Sequence, residues 1–397
     1  MDRDTTFDLY RRHVNAGKID VYESYGLDAV MGRREGVRFW DEYGDRSWIN
    51  CHCNGGVFNL GHRNPAVLAA VQASLENRDI GNHHLPAASR ADLARRFSET
   101  TGGLLSGVVF GVAGGEAIDL AIKVTRAATD RTGIVSASGG FHGHTGLALA
   151  AGDEQYRSPF GPNPPGFSQV SFNDVDAMDA AIGNDTAAVI LEPIPATLGM
   201  PIPDPDYLPQ VQRMCRERGA KLILDEVQTG LGRTGRMWAY EHWNLEPDVV
   251  VTGKGLSGGI YPISATLMTR EIHSLFDTEP FIHISTFGGA EPGAAAALAV
   301  LDLVERPGFL NHVVDLEDRF AAGFADMPFT LRHVGLMMAL AFPAPDAGMY
   351  AMKLLFDAGM LTVYANNDTS VLQFLPPLIT TDGEADEIIG IVRSVFG

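Results

Sequence analysis

The chain has 397 residues, of which 45% are hydrophobic, and its formal net charge is −19 at pH 7. This length is roughly two to three times the usual domain size of about 150 residues, so we expect two domains around a large core. The negative charge argues against nucleic acid as a partner, because proteins that bind it normally carry a basic face.

The first predicted elements are a polar helix and a hairpin, which is indicated by two alternating runs around a Tyr-Gly-Asp turn in GVRFWDEYGDRSWINC. From about residue 65, short apolar runs alternate with helical periodicity. Helices are predicted at PAVLAAVQASL, EAIDLAIKVTRAA and YLPQVQRMCRERG, and strands at GVVFGV, TGIVSAS, AAVILEP, KLILDE and DVVVTG. Strands that are apolar throughout are covered on both faces, so this pattern indicates a mostly parallel sheet.

The last predicted elements are a helix at AAAALAVLDLVE and strands within FTLRHVGLMMALAF and SVLQFLPPLI. We therefore predict an α/β fold with a large domain and a smaller α+β domain. The predicted parts are an N-terminal segment packing with the small domain (1–60), the large α/β domain (61–295) and the small C-terminal domain (296–397).

Three cysteines, Cys51, Cys53 and Cys215, are few and odd in number, which is typical of reduced thiols in a cytoplasm. The spacing of Cys51-His52-Cys53 is wrong for a zinc knuckle, so we predict no metal site. The N-terminus has charges where a signal peptide needs apolar residues, and no run of about 18 apolar residues occurs. We expect a soluble, cytoplasmic protein that does not bind a membrane.

Lys254 follows the predicted strand DVVVTG, at the strand end where ligands bind in α/β sheets. It is not a phosphate-loop lysine, because Asp248 stands where the first glycine of that motif belongs and Gly255 follows the lysine. The flanking glycines let backbone approach a ligand closely. The spacing alone leaves a functional lysine and a surface lysine equally open.

Asp225 ends the apolar strand KLILD, where a carboxylate is unfavourable without a cationic partner. One interpretation is a buried ion pair with Arg233 or Arg236. The other is a cofactor with a protonated ring nitrogen, which would connect Asp225 to Lys254. Pyridoxal phosphate needs both a lysine for its Schiff base and a carboxylate for its ring nitrogen.

A phosphate-bearing cofactor also needs an anion site, and VAGGEAIDLAIKV offers one where two glycines lead into a helix. Thr286, in HISTFGG, offers a hydroxyl, although a loop threonine could equally bond its own backbone. Phe141, in GGFHGHT, could lie on a pyridine ring, although an aromatic residue is more often part of the core.

The segment LDEVQTGLGRTG, followed by EPDVVVTGKGLSGGIYPISA, closely resembles the signature of the class III, fold type I aminotransferases. Ornithine, acetylornithine and 4-aminobutyrate aminotransferases and glutamate-1-semialdehyde aminomutase belong to this family. Further matches occur in the expected order over nearly the whole chain, at NLGHRNPAV, GGEA, FHGHT, LEP, STFGG and FLPPL.

The resemblance implies that pyridoxal 5'-phosphate forms an internal aldimine with Lys254, which also moves the proton, and that Asp225 pairs with the pyridine nitrogen. It places Gln228 near the ring hydroxyl. It places Val227 and Phe141 on the two ring faces, and the backbone of Gly114 and Gly115 at the phosphate. Thr286 would reach the phosphate of the neighbouring subunit, so the implied active unit is a homodimer.

Two departures from the family pattern concern the phosphate site and the substrate. Relatives usually read Ser-Gly-Thr-Glu or Ser-Gly-Ala-Glu where this chain has Ala113-Gly114-Gly115-Glu116, which removes hydroxyl donors and favours a lower cofactor affinity. After Glu192-Pro193, the usual Gln-Gly-Glu is replaced by Pro195-Ala196-Thr197, so an acidic residue near the substrate is missing.

The third departure lies at Gln373, where ornithine-type enzymes carry an arginine that clamps a substrate carboxylate. A neutral glutamine cannot replace a bidentate guanidinium, so we predict weaker binding of 2-oxoglutarate and α-amino acids unless Arg157 or Arg332 takes over. Glu192 and Gln373 are the candidate substrate contacts, and an amine, amino sugar or ω-amino compound is the expected substrate class.

The predicted function is an aminotransferase that moves an amino group from an amine or amino acid to a carbonyl acceptor. The alternative is an aminomutase, epimerase or decarboxylase on the same scaffold, because the shared motifs bind the cofactor and not the substrate. A non-catalytic sensor with an aminotransferase-like domain is disfavoured, because both Asp225 and Lys254 are present.

Overall fold

The structure is a computed structural model that describes residues 1–397. Its fifteen strands, numbered β1 to β15 in chain order, form three sheets. They run over Met31–Glu35, Arg38–Asp41, Ser47–Asn50, Gly107–Gly111, Gly133–Ala137, Phe167–Val170, Thr186–Leu191, Lys221–Asp225, Val249–Thr252, Ser264–Met268, Thr330–Val334, Met337–Ala341, Met360–Leu361, Val363–Ala365 and Asp368–Phe374.

The largest sheet has seven strands in the order β4-β10-β9-β8-β7-β5-β6. The pairs β5–β6, β5–β7, β7–β8 and β8–β9 are parallel, whereas β10 runs antiparallel to both of its neighbours. The prediction of a mostly parallel sheet is therefore confirmed. The strands β6 and β10 were not predicted.

Both faces of this sheet are buried, which explains the continuous apolar runs in the sequence. Along β7, Val189 and Leu191 pack into one hydrophobic core, and Ala188 and Ile190 pack into another. Because successive side chains point to opposite faces, each residue of the strand has to be apolar.

Helices cover the sheets and connect their strands. The three helices predicted for the α/β region form at Pro65–Leu75, Gly114–Thr129 and Tyr207–Arg218. The other α-helices span Arg3–His13, Ala16–Ser24, Ala88–Thr100, Gly146–Ala151, Glu154–Arg157, Val175–Ala181, Arg270–His273, Leu275–Thr278, Glu291–Val304, Phe309–Gly323, Ala347–Asp357 and Asp382–Phe396, and 3₁₀ segments span Ser158–Phe160, Ala239–Trp243 and Lys254–Ser257.

Two four-stranded sheets lie outside the seven-stranded one. The predicted hairpin forms from β2 and β3 in the sheet β1-β2-β3-β13, and the C-terminal strands form the antiparallel sheet β11-β12-β15-β14. The strand β13 pairs in parallel with β3, so residues 360–361 join the N-terminal hairpin. The division into parts at residues 60 and 295 stays a prediction, and residue 295 falls within the helix Glu291–Val304.

The buried side chain of Arg233 connects the loops after β8 to the C-terminal sheet. Its guanidinium donates to the backbone carbonyls of Leu336 at 3.0 Å and Pro376 at 2.7 Å, and to the side chain of Asn59. These acceptors belong to buried residues, so the arginine stabilises the contact between the elements. None of the helices combines the length and apolar composition needed to cross a lipid bilayer.

Candidate active site

A cavity of about 140 Å³ lies at the carboxyl ends of β7, β8 and β9, where the sequence predicts a ligand. It brings together eight of the predicted site residues. Its lining consists of Gly114, Gly115, Phe141, His142, Gly143, Glu192, Asp225, Val227, Gln228 and Lys254.

Lys254 lies just beyond β9 with a φ of +41°, an uncommon conformation for a residue with a side chain. Its Nζ donates to Oε1 of Gln228 at 2.8 Å. Burial lowers the pKa of Lys254, although the carboxyls of Asp225 and Glu192 oppose this effect. A lowered pKa increases the neutral fraction of the amine, which is the form that attacks a carbonyl carbon.

Asp225 is the last residue of β8, and it pairs with a histidine. Its Oδ2 accepts from Nδ1 of His142 at 2.9 Å, and its Oδ1 accepts from the backbone N–H of Val227 at 3.1 Å. Burial disfavours protonation of His142, but the hydrogen bond and charge of Asp225 outweigh it, so the pKa of His142 is raised. The interpretation of Asp225 as the partner of Arg233 or Arg236 is therefore wrong. Sequence reasoning missed His142 although it quoted the FHGHT motif.

The helix Gly114–Thr129 begins at the cavity with unpaired backbone N–H groups, because Ala113 provides no side-chain cap. Small residues are required here by close packing. A Cβ on Gly115 would lie 2.8 Å from Oγ1 of Thr145, and one on Gly114 would lie 3.3 Å from Cγ1 of Val227. The bare helix start can therefore receive an anion through its N–H groups and its positive dipole end.

Glu192 follows β7, and its Oε1 accepts the backbone N–H of Phe141 at 2.9 Å. Burial raises the pKa of Glu192 to about 7, although the nearby His142 opposes this effect. The carboxyl group can therefore act as a proton donor or acceptor near neutral pH.

A left-handed turn over residues 53–56 packs behind the lysine, and sequence reasoning did not predict it. Cys53, Asn54, Gly55 and Gly56 have φ values of +50°, +51°, +67° and +99°. The side-chain oxygen of Asn50 accepts the N–H of Cys53 at 2.9 Å and holds the turn. A Cβ on Gly55 would lie 3.3 Å from Nζ of Lys254, so the turn fixes the space beside the amine. The Asn-Gly-Gly sequence was the available signal, because glycine and asparagine tolerate this conformation.

Two predicted site residues lie outside this cavity. Gln373 is in β15 and 7% exposed, and its Nε2 lies 3.5 Å from the carbonyl oxygen of Tyr364. Thr286 lies in an exposed loop. Arg157 and Arg332, the possible replacements for a carboxylate clamp, donate to the carbonyl oxygens of Ala150 at 2.8 Å and Gly199 at 2.6 Å.

Two buried polar atoms in the cavity wall have no hydrogen-bond partner within the protein, Nε2 of His142 and Nε2 of Gln228. Buried donors without partners are unfavourable, and such atoms are normally satisfied by a ligand or water. Together with the amine of Lys254, the carboxylate of Asp225 and the bare helix start, they fit a ligand that combines a carbonyl, a basic ring nitrogen and a phosphate.

The cavity and its donors define an enzyme that uses pyridoxal 5'-phosphate. Residues 22–396 match the family described as Aminotransferase class-III. A protein of Archaeoglobus fulgidus described as an uncharacterized aminotransferase is 48% identical over 387 residues, which cover 96% of this chain and 91% of that protein. The chain belongs to the class III aminotransferase family, whose members are dependent on this cofactor.

Solved structures confirm the predicted fold type I class. The ornithine aminotransferase of Toxoplasma gondii is similar with a TM-score of 0.89 and 26% identity, covering 100% of this chain and 95% of that one. The acetylornithine aminotransferase of Elizabethkingia anophelis is similar with a TM-score of 0.82 and 25% identity, covering 96% and 98% of the two chains. This protein is therefore an enzyme that catalyses cofactor-dependent transamination of small molecules.

Proposed function

We propose that Lys254 is the Schiff-base lysine of an aminotransferase that transfers an amino group from an amine or amino acid donor to a carbonyl acceptor. The observation that carries this proposal is the presence of the Lys254 amine and the Asp225 carboxylate in one cavity of about 140 Å³. Bound pyridoxal phosphate supplies an electron sink that stabilises negative charge on the carbon bearing the amino group.

Asp225 would hold the ring nitrogen in its protonated state, and His142 would orient Asp225 through the 2.9 Å hydrogen bond. The side-chain amide of Gln228, which accepts a hydrogen bond from Lys254, would contact the ring hydroxyl. Val227 and Phe141 would pack on the ring.

The phosphate would bind the backbone N–H groups of Gly114 and Gly115, where no side chain intrudes. The Lys254 amine, with its lowered pKa, would accept a proton from the carbon bearing the amino group and return one to the cofactor side.

The substrate is proposed to lack the α-carboxylate contact of ornithine-type enzymes. No arginine lines the cavity, and its basic side chains are Lys254 and His142. Gln373 offers only a neutral amide. This lining supports an amine, an amino sugar or an ω-amino compound as the donor, with Glu192 near the substrate.

The active unit is proposed to be a homodimer in which Thr286 reaches the site of the partner. The loop around Thr286 exposes large apolar side chains, with Phe281 74%, Ile282 53%, Ile284 55% and Phe287 50% exposed. A cluster of this kind on a globular protein is typical of an interaction surface.

The test combines peptide mapping with a half-reaction. Borohydride reduction of the holoenzyme should attach the cofactor to the peptide containing Lys254. Lys254→Ala should abolish the absorbance change that accompanies loss of the donor's amino group, whereas Lys353→Ala, at an exposed ion pair with Asp357, should react normally. Full activity of Lys254→Ala would refute the assignment, and steady turnover without a carbonyl acceptor would favour an aminomutase, epimerase or decarboxylase.

A further inference from the structure

A cavity of about 510 Å³ lies between the N-terminal helices and the small sheets. Its lining is mostly apolar or aromatic, and Lys18 is its only charged residue. The volume is within the range of small-molecule sites, which are typically apolar and aromatic. We refer to this space as the tail cavity. Its aromatic walls are formed by Phe7, Tyr10, Tyr22, Tyr25, Phe39, Phe356 and Tyr364.

Contacts between neighbouring segments place the tail cavity next to the active site. Phe141 lines the active site, and the ring of Tyr156 meets it edge-on with 6.4 Å between centroids. The turn after Tyr364 contacts the same region: Nδ2 of Asn367 donates to the carbonyl oxygen of Gly139 at 2.7 Å, and its Oδ1 accepts from Nε2 of Gln155. Since Tyr364 and Asn366 line the tail cavity, its edge lies beside the segment that carries Phe141.

The lining of the tail cavity favours an apolar occupant over a charged one. The side chain that approaches the backbone of Tyr364 is the neutral amide of Gln373, and the guanidinium groups of Arg157 and Arg332 donate to backbone carbonyls elsewhere. A carboxylate moved into the tail cavity would lose its hydration and meet only the exposed Lys18 amine, which offers no bidentate contact. An apolar group would gain free energy for each buried methylene.

We propose that the amino donor carries an apolar or aromatic tail that occupies the tail cavity while its amine lies at Lys254. This inference rests on the proposed function and names its substrate class. The donor is therefore a hydrophobic primary amine or a long-chain ω-amino compound, and not a short dicarboxylic amino acid.

The first test is a chain-length series of unbranched primary amines, from propylamine to octylamine, in the half-reaction of the holoenzyme. The second-order rate constant of the half-reaction should rise about three- to fourfold with each methylene that enters the tail cavity. Calorimetry should show a heat capacity of binding that becomes more negative with chain length, because apolar surface is buried.

The second test fills the tail cavity. Ala29 lies in a loop that lines it, so Ala29→Trp should remove the dependence of the rate on chain length. The matched control is Ala325→Trp, in an exposed turn elsewhere, which should keep the dependence. The series with the unsubstituted enzyme does not rely on the folding of either variant.

Three outcomes would count against the inference in different ways. A rate constant that does not depend on chain length, with the short amines still reacting, would refute the binding of the tail in this cavity. The assignment of transamination to Lys254 would then still stand. An equal dependence on chain length in Ala29→Trp and in the unsubstituted enzyme would place the tail elsewhere. Reaction with no donor of any class would refute the proposed function, and the tail assignment with it.

Discussion

Replacing Glu192 with glutamine should make the cofactor-free protein more stable near neutral pH. Glu192 accepts one hydrogen bond, from the N–H of Phe141, and burial raises its pKa from 4.5 to about 7. Glutamine keeps an acceptor for this N–H group and removes the carboxylate charge that burial disfavours.

The size of the effect follows from the two pKa values. Because the pKa is higher in the folded state, the stability associated with the protonated Glu192 carboxyl is fully present below pH 4.5 and is lost as the pH rises through about 7. At about 1.4 kcal/mol for each pH unit between the two values, the loss amounts to about 3 kcal/mol. The Glu192→Gln protein does not experience this loss.

Urea unfolding between pH 5 and pH 8.5 measures this difference. The difference in free energy of unfolding between Glu192→Gln and the unsubstituted protein should grow by most of that amount between pH 5 and pH 7. Above pH 7 this difference should stay constant. A difference that does not vary with pH would show that the Glu192 carboxyl is already ionised in the folded protein, and it would refute the burial argument.

Glu226→Gln is the informative control, because burial also raises the pKa of Glu226 to about 7. Both oxygens of Glu226 accept hydrogen bonds, from the N–H groups of Tyr240 at 2.8 Å and Ala239 at 3.0 Å and from the hydroxyl of Thr229 at 2.7 Å. A glutamine amide would direct its NH₂ group at one of these donors. Glu226→Gln should therefore stabilise the protein less than Glu192→Gln at each pH, because the clash with one donor offsets the gain from removing the buried charge.

Three further predictions concern other parts of the molecule. Arg233→Met should lower the free energy of unfolding by about 3 kcal/mol or more, because buried carbonyls lose their donor, whereas the exposed Arg236→Met should have little effect in the same urea titration. Gln373→Arg should raise the rate with 2-oxoglutarate about tenfold, and an unchanged rate would contradict our interpretation of the substrate pocket. Phe287→Asp should shift the sedimentation coefficient toward that of a monomer, whereas Phe160→Asp, at a residue 78% exposed, should not.

The elements that could be predicted from the sequence are those in which the pattern of apolar residues follows the pattern of burial. The helix Pro65–Leu75 and the strand Thr186–Leu191 are examples, because apolar periodicity reports directly on burial. The strand Ser264–Met268 has a similar composition, but its antiparallel direction depends on its neighbours, and no periodicity encodes that direction. The two-residue strand β13 was missed because it depends on pairing with the distant strand β3.

The site was predictable where chemistry is local in the chain. Lys254 and Asp225 each follow an apolar strand, and a charged residue at such a position needs a functional reason. The partner of Asp225 was not predictable, because His142 is 83 residues away and only the parallel pairing of strands brings the two side chains within 2.9 Å.

The sequence by itself determined the family, the cofactor chemistry and most of the residues that line the cavity, since these depend on residue types at short spacings. Only the tertiary structure decided which groups share the cavity, that Gln373 lies outside its lining, and that burial raises the pKa of Glu192 to about 7. The physical reason is that burial and hydrogen bonding depend on atoms contributed by many separate segments. A charge has no defined pKa or partner until those segments have packed around it.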